Sequence, residues 1–225
     1  QDIPVPSSKR LHRATRPERL CPGLSGTFEH TANLSYIINQ AHLKQRSLTI
    51  TLLDLNNAFG EVHHNLIRCV LQYHHVPSEI QLLVGSLYND FQVTIVTDNF
   101  VTEYIKVGRG VLQGDCLSPL LFNMMMHTFI TYVSRTEYKQ LGFRYLKLML
   151  PRHWLQYADD AVAISGTGSE NQILLNAFVK WCAWGSMTIR VDKCSTFGIR
   201  KVGTCSKQIK PHLLVNNERI QSVSI

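Results

Sequence analysis

Apolar residues recur at two periods along this chain, and the switch between them lays out its elements. Leu34, Ile37, Ile38 and Ala41 fall at helical spacing, and the run Thr49-Ile50-Thr51-Leu52-Leu53 then has the length and β-branched content of a buried strand, closing on Asp54. Val62, Leu66, Cys69, Val70 and Tyr73 predict the buried face of a second helix that stops at Pro77-Ser78, and Ile80, Leu83, Val84 and Leu87 predict a third. Phe91, Val93 and Ile95 alternate in strand fashion, with Asp98-Asn99 turning the chain into a return strand that reaches Val107. Leu121, Met124, Met125, Thr128, Phe129 and Tyr132 line a helix opening at Ser118-Pro119, where Ser118 is the expected cap and Pro119 suits the first helical position. The run Met124-Met125-Met126 reads as gap-filling core. His153 to Ala158 and Ala161 to Ile164 form the arms of a hairpin, although its turn lacks the Asn-Gly or Asp-Gly pair that tight hairpins prefer. Ile173, Leu174, Ala177, Phe178 and Trp181 give a last helix, followed by short strands around Met187 to Val191 and Thr196 to Ile199. Helices mixed with hairpins predict an α+β fold, a mostly antiparallel sheet with helices packed on one face.

Composition narrows the class. With 225 residues and 44% hydrophobic content the chain can bury one sizeable core. Its net charge of +7 is uneven: Lys9, Arg10, Arg13, Arg16 and Arg19 crowd the start, and Arg190, Lys193, Arg200, Lys201, Lys207 and Lys210 crowd the end. Such clusters fit an anionic partner, and equally a solvated face. Six cysteines without a Cys-x-x-Cys pair point to neither a zinc knuckle nor a compact disulfide framework, and fit a reducing compartment. No apolar stretch approaches the ~18 residues of a membrane span. The opening Gln1-Asp2-Ile3-Pro4-Val5-Pro6 has neither an initiator Met nor the features of a signal peptide, so the chain reads as a piece of a longer polypeptide.

Tyr157-Ala158-Asp159-Asp160 puts two adjacent carboxylates where a strand reverses. Taken alone, that is either a cation seat or an exposed acidic turn. Asp54 is a third carboxylate, at the end of a strand with no other charge, and an ionised Asp there needs a partner that no nearby Arg or Lys in the sequence supplies. Should the two segments lie side by side, three carboxylates converge, an arrangement stabilised by divalent cations, with all-oxygen ligation favouring Mg²⁺ or Mn²⁺. Two such ions roughly 3.5–4 Å apart can activate a hydroxyl and stabilise a leaving oxygen in phosphoryl transfer. Gly108-Arg109-Gly110 through Gln113-Gly114-Asp115 runs into the helix at Ser118, and is either a plain loop or a backbone cradle for a phosphate or nucleotide, with Gln113 supplying donor and acceptor.

In combination, these blocks resemble reverse transcriptases, most closely those of non-LTR, LINE-like retrotransposons. Leu53-Asp54-Leu55-Asn56-Asn57-Ala58-Phe59 with Val62-His63-His64 is similar to the first palm block, Gln113-Gly114 through Ser118-Pro119 and Phe122 to the second, and Tyr157-Ala158-Asp159-Asp160 to the third. Gly185 to Phe197, with Lys193 inside, resembles the following block less specifically. The resemblance implies a palm with partial fingers, in which Asp54, Asp159 and Asp160 are the catalytic carboxylates around two Mg²⁺ (or Mn²⁺) ions. By the same resemblance Phe59 excludes a ribose 2′-hydroxyl, Gln113 and Gly114 position nucleotide and template, and Lys193 lies near the triphosphate. Phe59 as ordinary core and Lys193 as a solvated lysine are the alternatives, and His63 and His64 read as structural.

Three departures from the family pattern stand out. Gly60 occupies the place of the usual Asp, Cys116 that of the usual Pro, and the fingers block before Pro22-Gly23-Leu24-Ser25 has Pro17 and Arg19-Leu20 where Gln and Gly-Phe are expected. The expected organisation is therefore a loop-rich basic arm with a remnant of fingers over 1–28, the palm and partial fingers over 29–200, and a basic connection towards a missing thumb over 201–225. The expected function is RNA-templated DNA synthesis as an RNA-directed DNA polymerase domain of a retroelement polyprotein, using an RNA template, a DNA primer and dNTPs, inside the cell and by resemblance in the nucleus. Two alternatives stay open: a decayed or domesticated RNA-binding remnant, and a telomerase-like or group II maturase-like relative.

Overall fold

The computed structural model describes residues 26–224 apart from 113, 136 and 146–149. In chain order the elements are α1 (Gly26–Leu43), β1 (Leu48–Leu53), α2 (His64–Tyr73), α3 (Ser78–Tyr88), β2 (Gln92–Val93), β3 (Ile105–Lys106), α4 (Ser118–Val133), β4 (Trp154–Tyr157), β5 (Asp160–Ser165), α5 (Gly168–Trp184), β6 (Ser195–Val202), β7 (Cys205–Ile209), β8 (Leu214–Val215), β9 (Glu218–Arg219) and β10 (Gln221–Ser222). The main sheet runs β10-β6-β1-β5-β4, with β7 also on the outer edge of β6. Only β10 is parallel to its neighbour; β1 lies antiparallel between β5 and β6. The apolar strand ending at Asp54 is thus central, which is why all its residues except Leu52 are buried.

Period-two alternation sorts the sheet into two packed faces. Leu53, Trp154, Ala161 and Ala163 meet α2, α3, α4 and α5 in the larger core. Leu48, Ile50, Leu155, Ile164 and Phe197 point the other way and pack with Ile37 and Ala41 of α1. The α+β class is as expected, with one difference: α1 covers part of the second face. At the end nearest Asp160, His30 of α1 meets Tyr157 edge-on, ring centroids 6.1 Å apart, while Leu52 is 38% exposed and Asp160 is exposed.

Buried polar groups tie the central strands to α5. The Thr51 hydroxyl donates to Asn171 Oδ1 at 2.7 Å, and Asn171 Nδ2 donates to the carbonyls of Thr49 and Ala163, riveting α5 to the two central strands. The N-terminus of α5 is closed by Thr167, whose hydroxyl accepts from Glu170 N–H, while Glu170 Oε2 accepts from Gly166 N–H, a variant of the capping box.

Several sequence expectations are corrected. Ser118 is inside α4, and its backbone N–H is capped by Asp115 Oδ1. In α2 the buried positions are Ile67, Val70 and Leu71, whereas Cys69 is exposed. In α3 only Val84 and Tyr88 are buried; Ile80, Leu83 and Leu87 face outward because the helix packs along one side against α2. The hairpin around Asp98-Asn99 forms, but its ladder is broken. Register passes from Val93↔Ile105 to Val96↔Val101, leaving one extra residue on the return arm, a bulge that shortens both strands to two residues. Met187 to Val191 makes no strand, only the bridge Leu55↔Ile189. Residues read as a basic connection carry β7 to β10, two of which extend the main sheet. The 1–25 arm, including Pro22-Gly23-Leu24-Ser25, lies outside the described residues.

Candidate active site

The β1–β5 register runs from Thr49↔Ser165 to Leu53↔Ala161, so Asp54 directly follows, and Asp160 directly precedes, the two residues of the last pair. Residues directly opposite in an antiparallel pair share a face. By the same alternation both belong to the face that carries Leu52 and Val162, one residue beyond the last pair. Asp159 is next to them in the β4–β5 turn, where Tyr157 pairs with Asp160 across a two-residue loop of Ala158 and Asp159.

This turn lacks glycine, yet Ala158 has φ +51°. A left-handed Ala costs about 1–2 kcal/mol, and a buried clamp that the sequence reading missed offsets it. Trp154 Nε1 donates to Gln156 Oε1 at 2.8 Å, and Gln156 Nε2 donates to the Ala158 carbonyl at 2.6 Å. Gln156 is 4% exposed, and a glutamine among Trp, Leu and Tyr was the available signal. Replacing it with Leu strands two buried polar groups, so Gln156→Leu is expected to cost about 2–4 kcal/mol in urea unfolding.

Asp54 does have a cationic neighbour, brought by tertiary contact. Arg190 N–H donates to the Asp54 carbonyl at 2.9 Å, and Arg190 Nε stands 3.8 Å from Asp54 Oδ2. The turn from Arg190 to Cys194 carries the exposed Lys193, whose N–H donates to the Arg190 carbonyl, so Lys193 sits on the segment tied to Asp54. Beside it, Asp192, Glu218, Lys210 and Arg219 line an open cleft of about 480 Å³.

Beneath the strand end, burial pushes the thiols of Cys182 and Cys194 upward, Cys182 also by its neighbour Cys194, and Cys194 also by the charges of Asp54 and Asp192 against a hydrogen bond with the Asp54 backbone. A buried thiol held protonated reacts slowly. Iodoacetamide is expected to modify exposed Cys69, Cys116 and Cys205 in the native chain and to spare Cys182 and Cys194 until denaturant is added, as read by peptide mass spectrometry.

The glycine segment docks on the loop after Asp54. Gly110 N–H donates to the Val62 carbonyl at 2.7 Å and Val111 N–H to the Phe59 carbonyl at 2.9 Å, while the His64 ring bonds the Gly110 carbonyl. Gly110 has φ +93°, and a Cβ there would come within 3.1 Å of the Gly60 carbonyl oxygen. Gly60 is less restricted, because a Cβ on it would meet only the side chain of exposed Asn57, which can turn aside. Phe59 is half-buried and stacks on Phe122, centroids 4.4 Å apart, which joins the first block to α4. Gly114, at φ +100° with open space where a Cβ would be, lies in the link to α4, and Gln113 lies outside the described residues.

The donor set on offer, carboxylate oxygens at Asp54, Asp159 and Asp160, suits a hard divalent cation. Among the described residues no three His, Cys, Asp or Glu side chains are drawn together as an ion cage. Asp159 and Asp160 share the β4–β5 turn, Asp54 ends the neighbouring strand, and Arg190 faces Asp54.

Residues 6–210 match the family described as Reverse transcriptase (RNA-dependent DNA polymerase). This chain belongs to the reverse transcriptase family. Its domain is similar to the Retrovirus-related Pol polyprotein from type-1 retrotransposable element R2 of Nasonia vitripennis, 28% identical over 82% of this chain and 17% of that protein. It is similar also to that from type-2 retrotransposable element R2DM of Drosophila melanogaster, 27% identical over 78% of this chain and 16% of that protein. The chain thus spans about a sixth of the length of these polyproteins, and the likeness supports a reverse transcriptase domain of the LINE-like, non-LTR kind. In fold, it resembles telomerase from Candida tropicalis in complex with a fragment of telomeric RNA, with TM-score 0.58 at 12% identity over 80% of this chain and 31% of that one. Telomerase from Candida albicans is similar, with TM-score 0.55 at 10% identity over 88% of this chain and 33% of that one. Divalent-metal dependence is general in the reverse transcriptase family. No helix among the described residues is long and apolar enough to cross a membrane.

Proposed function

We propose that this reverse transcriptase domain extends a DNA primer on an RNA template, consuming dNTPs, by nucleotidyl transfer with two Mg²⁺ or Mn²⁺ ions. The observation that supports this is the β1–β5 register, whose last pair Leu53↔Ala161 leaves Asp54 and Asp160 one residue further on, next to the Asp159 turn, with Asp54 half-buried and Asp160 exposed. Asp54 and Asp159 would hold the cations, with Asp160 as the adjacent carboxylate. Bound there, the ions would activate the primer 3′-hydroxyl and stabilise charge on the leaving phosphate oxygens.

The remaining work falls to the chain itself. The rigid hairpin and central strand hold the carboxylates in place, and Phe59, braced by Phe122, offers a ring that rejects a ribose 2′-hydroxyl. The Gly108–Gly114 segment gives backbone that a nucleotide or template can approach closely, with Gln113 as its side-chain contact. Lys193 supplies positive charge for the triphosphate. Similarity to R2 Pol polyproteins supports the retroelement setting, and a DNA primer implies action in the nucleus.

The test is extension of a labelled DNA primer on an RNA template by the 225-residue chain in Mg²⁺ and in Mn²⁺. Metal-dependent, template-directed products are expected. RNA binding that weakens steeply with salt, with no extension in either metal, would instead identify a binding remnant.

A further inference from the structure

Asp54 faces a guanidinium that a bound cation would repel. Arg190 presents Nε to Asp54 Oδ2 and a terminal nitrogen to Asp192 Oδ2, each at 3.8 Å. Both distances exceed a direct hydrogen bond, so one guanidinium is shared between two carboxylates and fixed to neither. Its backbone, by contrast, is fixed by the N–H donated to the Asp54 carbonyl and by the adjacent Leu55↔Ile189 bridge. The side chain can swing while its root stays beside Asp54. The three side chains are 42%, 38% and 68% exposed for Arg190, Asp54 and Asp192, so exchange between partners needs no rearrangement of the core.

We propose that Arg190 is a resident counter-ion of Asp54, a positioning residue that neutralises this carboxylate in the metal-free domain and moves onto Asp192 when a divalent cation binds. The inference rests on the reading of Asp54 as a metal-binding residue. Its physical content is competition. Arg190 and the cation seek the same oxygens, and two positive groups within a few ångströms repel each other, so Arg190 raises the cation concentration at which the site fills. Asp192 lowers it again by giving the displaced guanidinium a partner. The device would keep the aspartates from mutual repulsion before substrate and metal arrive.

Mn²⁺ binding to the 225-residue chain, followed by isothermal titration and by the electron paramagnetic resonance signal of free Mn²⁺, tests this without any turnover. Arg190→Gln is expected to bind Mn²⁺ about three- to tenfold more tightly, and Arg190→Lys, which keeps the charge, to stay within about twofold of wild type. Asp192→Asn is expected to weaken binding about two- to fivefold in the wild-type background and to have no effect in the Arg190→Gln background, because its influence passes through Arg190. Equal effects of Asp192→Asn in both backgrounds would overturn the hand-over, leaving only through-space charge. Unchanged affinity in Arg190→Gln, with binding lost in Asp54→Asn, would overturn the counter-ion itself. An unchanged isotherm in Asp54→Asn would remove the metal reading of Asp54 and the proposal with it.

Discussion

Asp159→Ala is expected to lower RNA-templated primer extension by a thousandfold or more, and Asp54→Ala by a similar factor, in both Mg²⁺ and Mn²⁺. A thousandfold corresponds to about 4 kcal/mol of transition-state stabilisation. The size follows from the role proposed for each carboxylate, which would hold a cation near oxygens whose charge grows only as the phosphoryl group transfers, a role water in its place would not fill. Asp159 is half-buried in a turn, and Asp54 is at the end of a strand whose backbone bonds continue without its side chain. The urea midpoint of either variant should therefore stay close to wild type while turnover collapses. Single-turnover extension alongside equilibrium unfolding separates the two quantities. Full extension by either alanine variant would end the assignment.

The largest loss of stability is expected at the other side of the sheet. Phe129 of α4 is fully buried, with ring centroids 4.7 Å from Trp154, 5.0 Å from Phe178 and 5.5 Å from Trp181. These partners come from β4 and α5, so one ring joins three elements. Phe129→Ala removes that ring and leaves a cavity that three large aromatics, themselves packed, can collapse into only partly, and about 3–5 kcal/mol is expected from urea denaturation. Because β4 is the first arm of the acidic hairpin, the same variant should also loosen the Asp159 turn. Phe129→Leu fills much of the space and is expected to recover more than half of the loss.

Much of this was legible along the chain. The strand ending at Asp54, the hairpin arms around Asp159 and Asp160, and the helices of α1, α2, α4 and α5 are encoded by local period, since burying one face of an element imposes its own repeat on the residues. What failed was equally local in cause. Ser118 looked like a cap because the sequence does not say that Asp115 bends back to the same N–H. Ile80, Leu83 and Leu87 share a helical face, but whether another element covers that face depends on packing, and α2 lies on the other side. Met187 to Val191 has apolar character without a partner strand long enough to pair.

Residue type and period, properties of neighbours along the chain, already specify the chemistry on offer, three carboxylates in Leu53-Asp54-Leu55 and Tyr157-Ala158-Asp159-Asp160, together with the elements that carry them. Folding alone sets β1 beside β5 with Leu53 opposite Ala161, lays Gly60 against Gly110 backbone to backbone, clamps the Ala158 turn with Gln156 and turns Arg190 towards Asp54. Each of these joins groups through hydrogen-bond register or charge between segments that folding brings together, and spacing along the chain holds no record of such pairings.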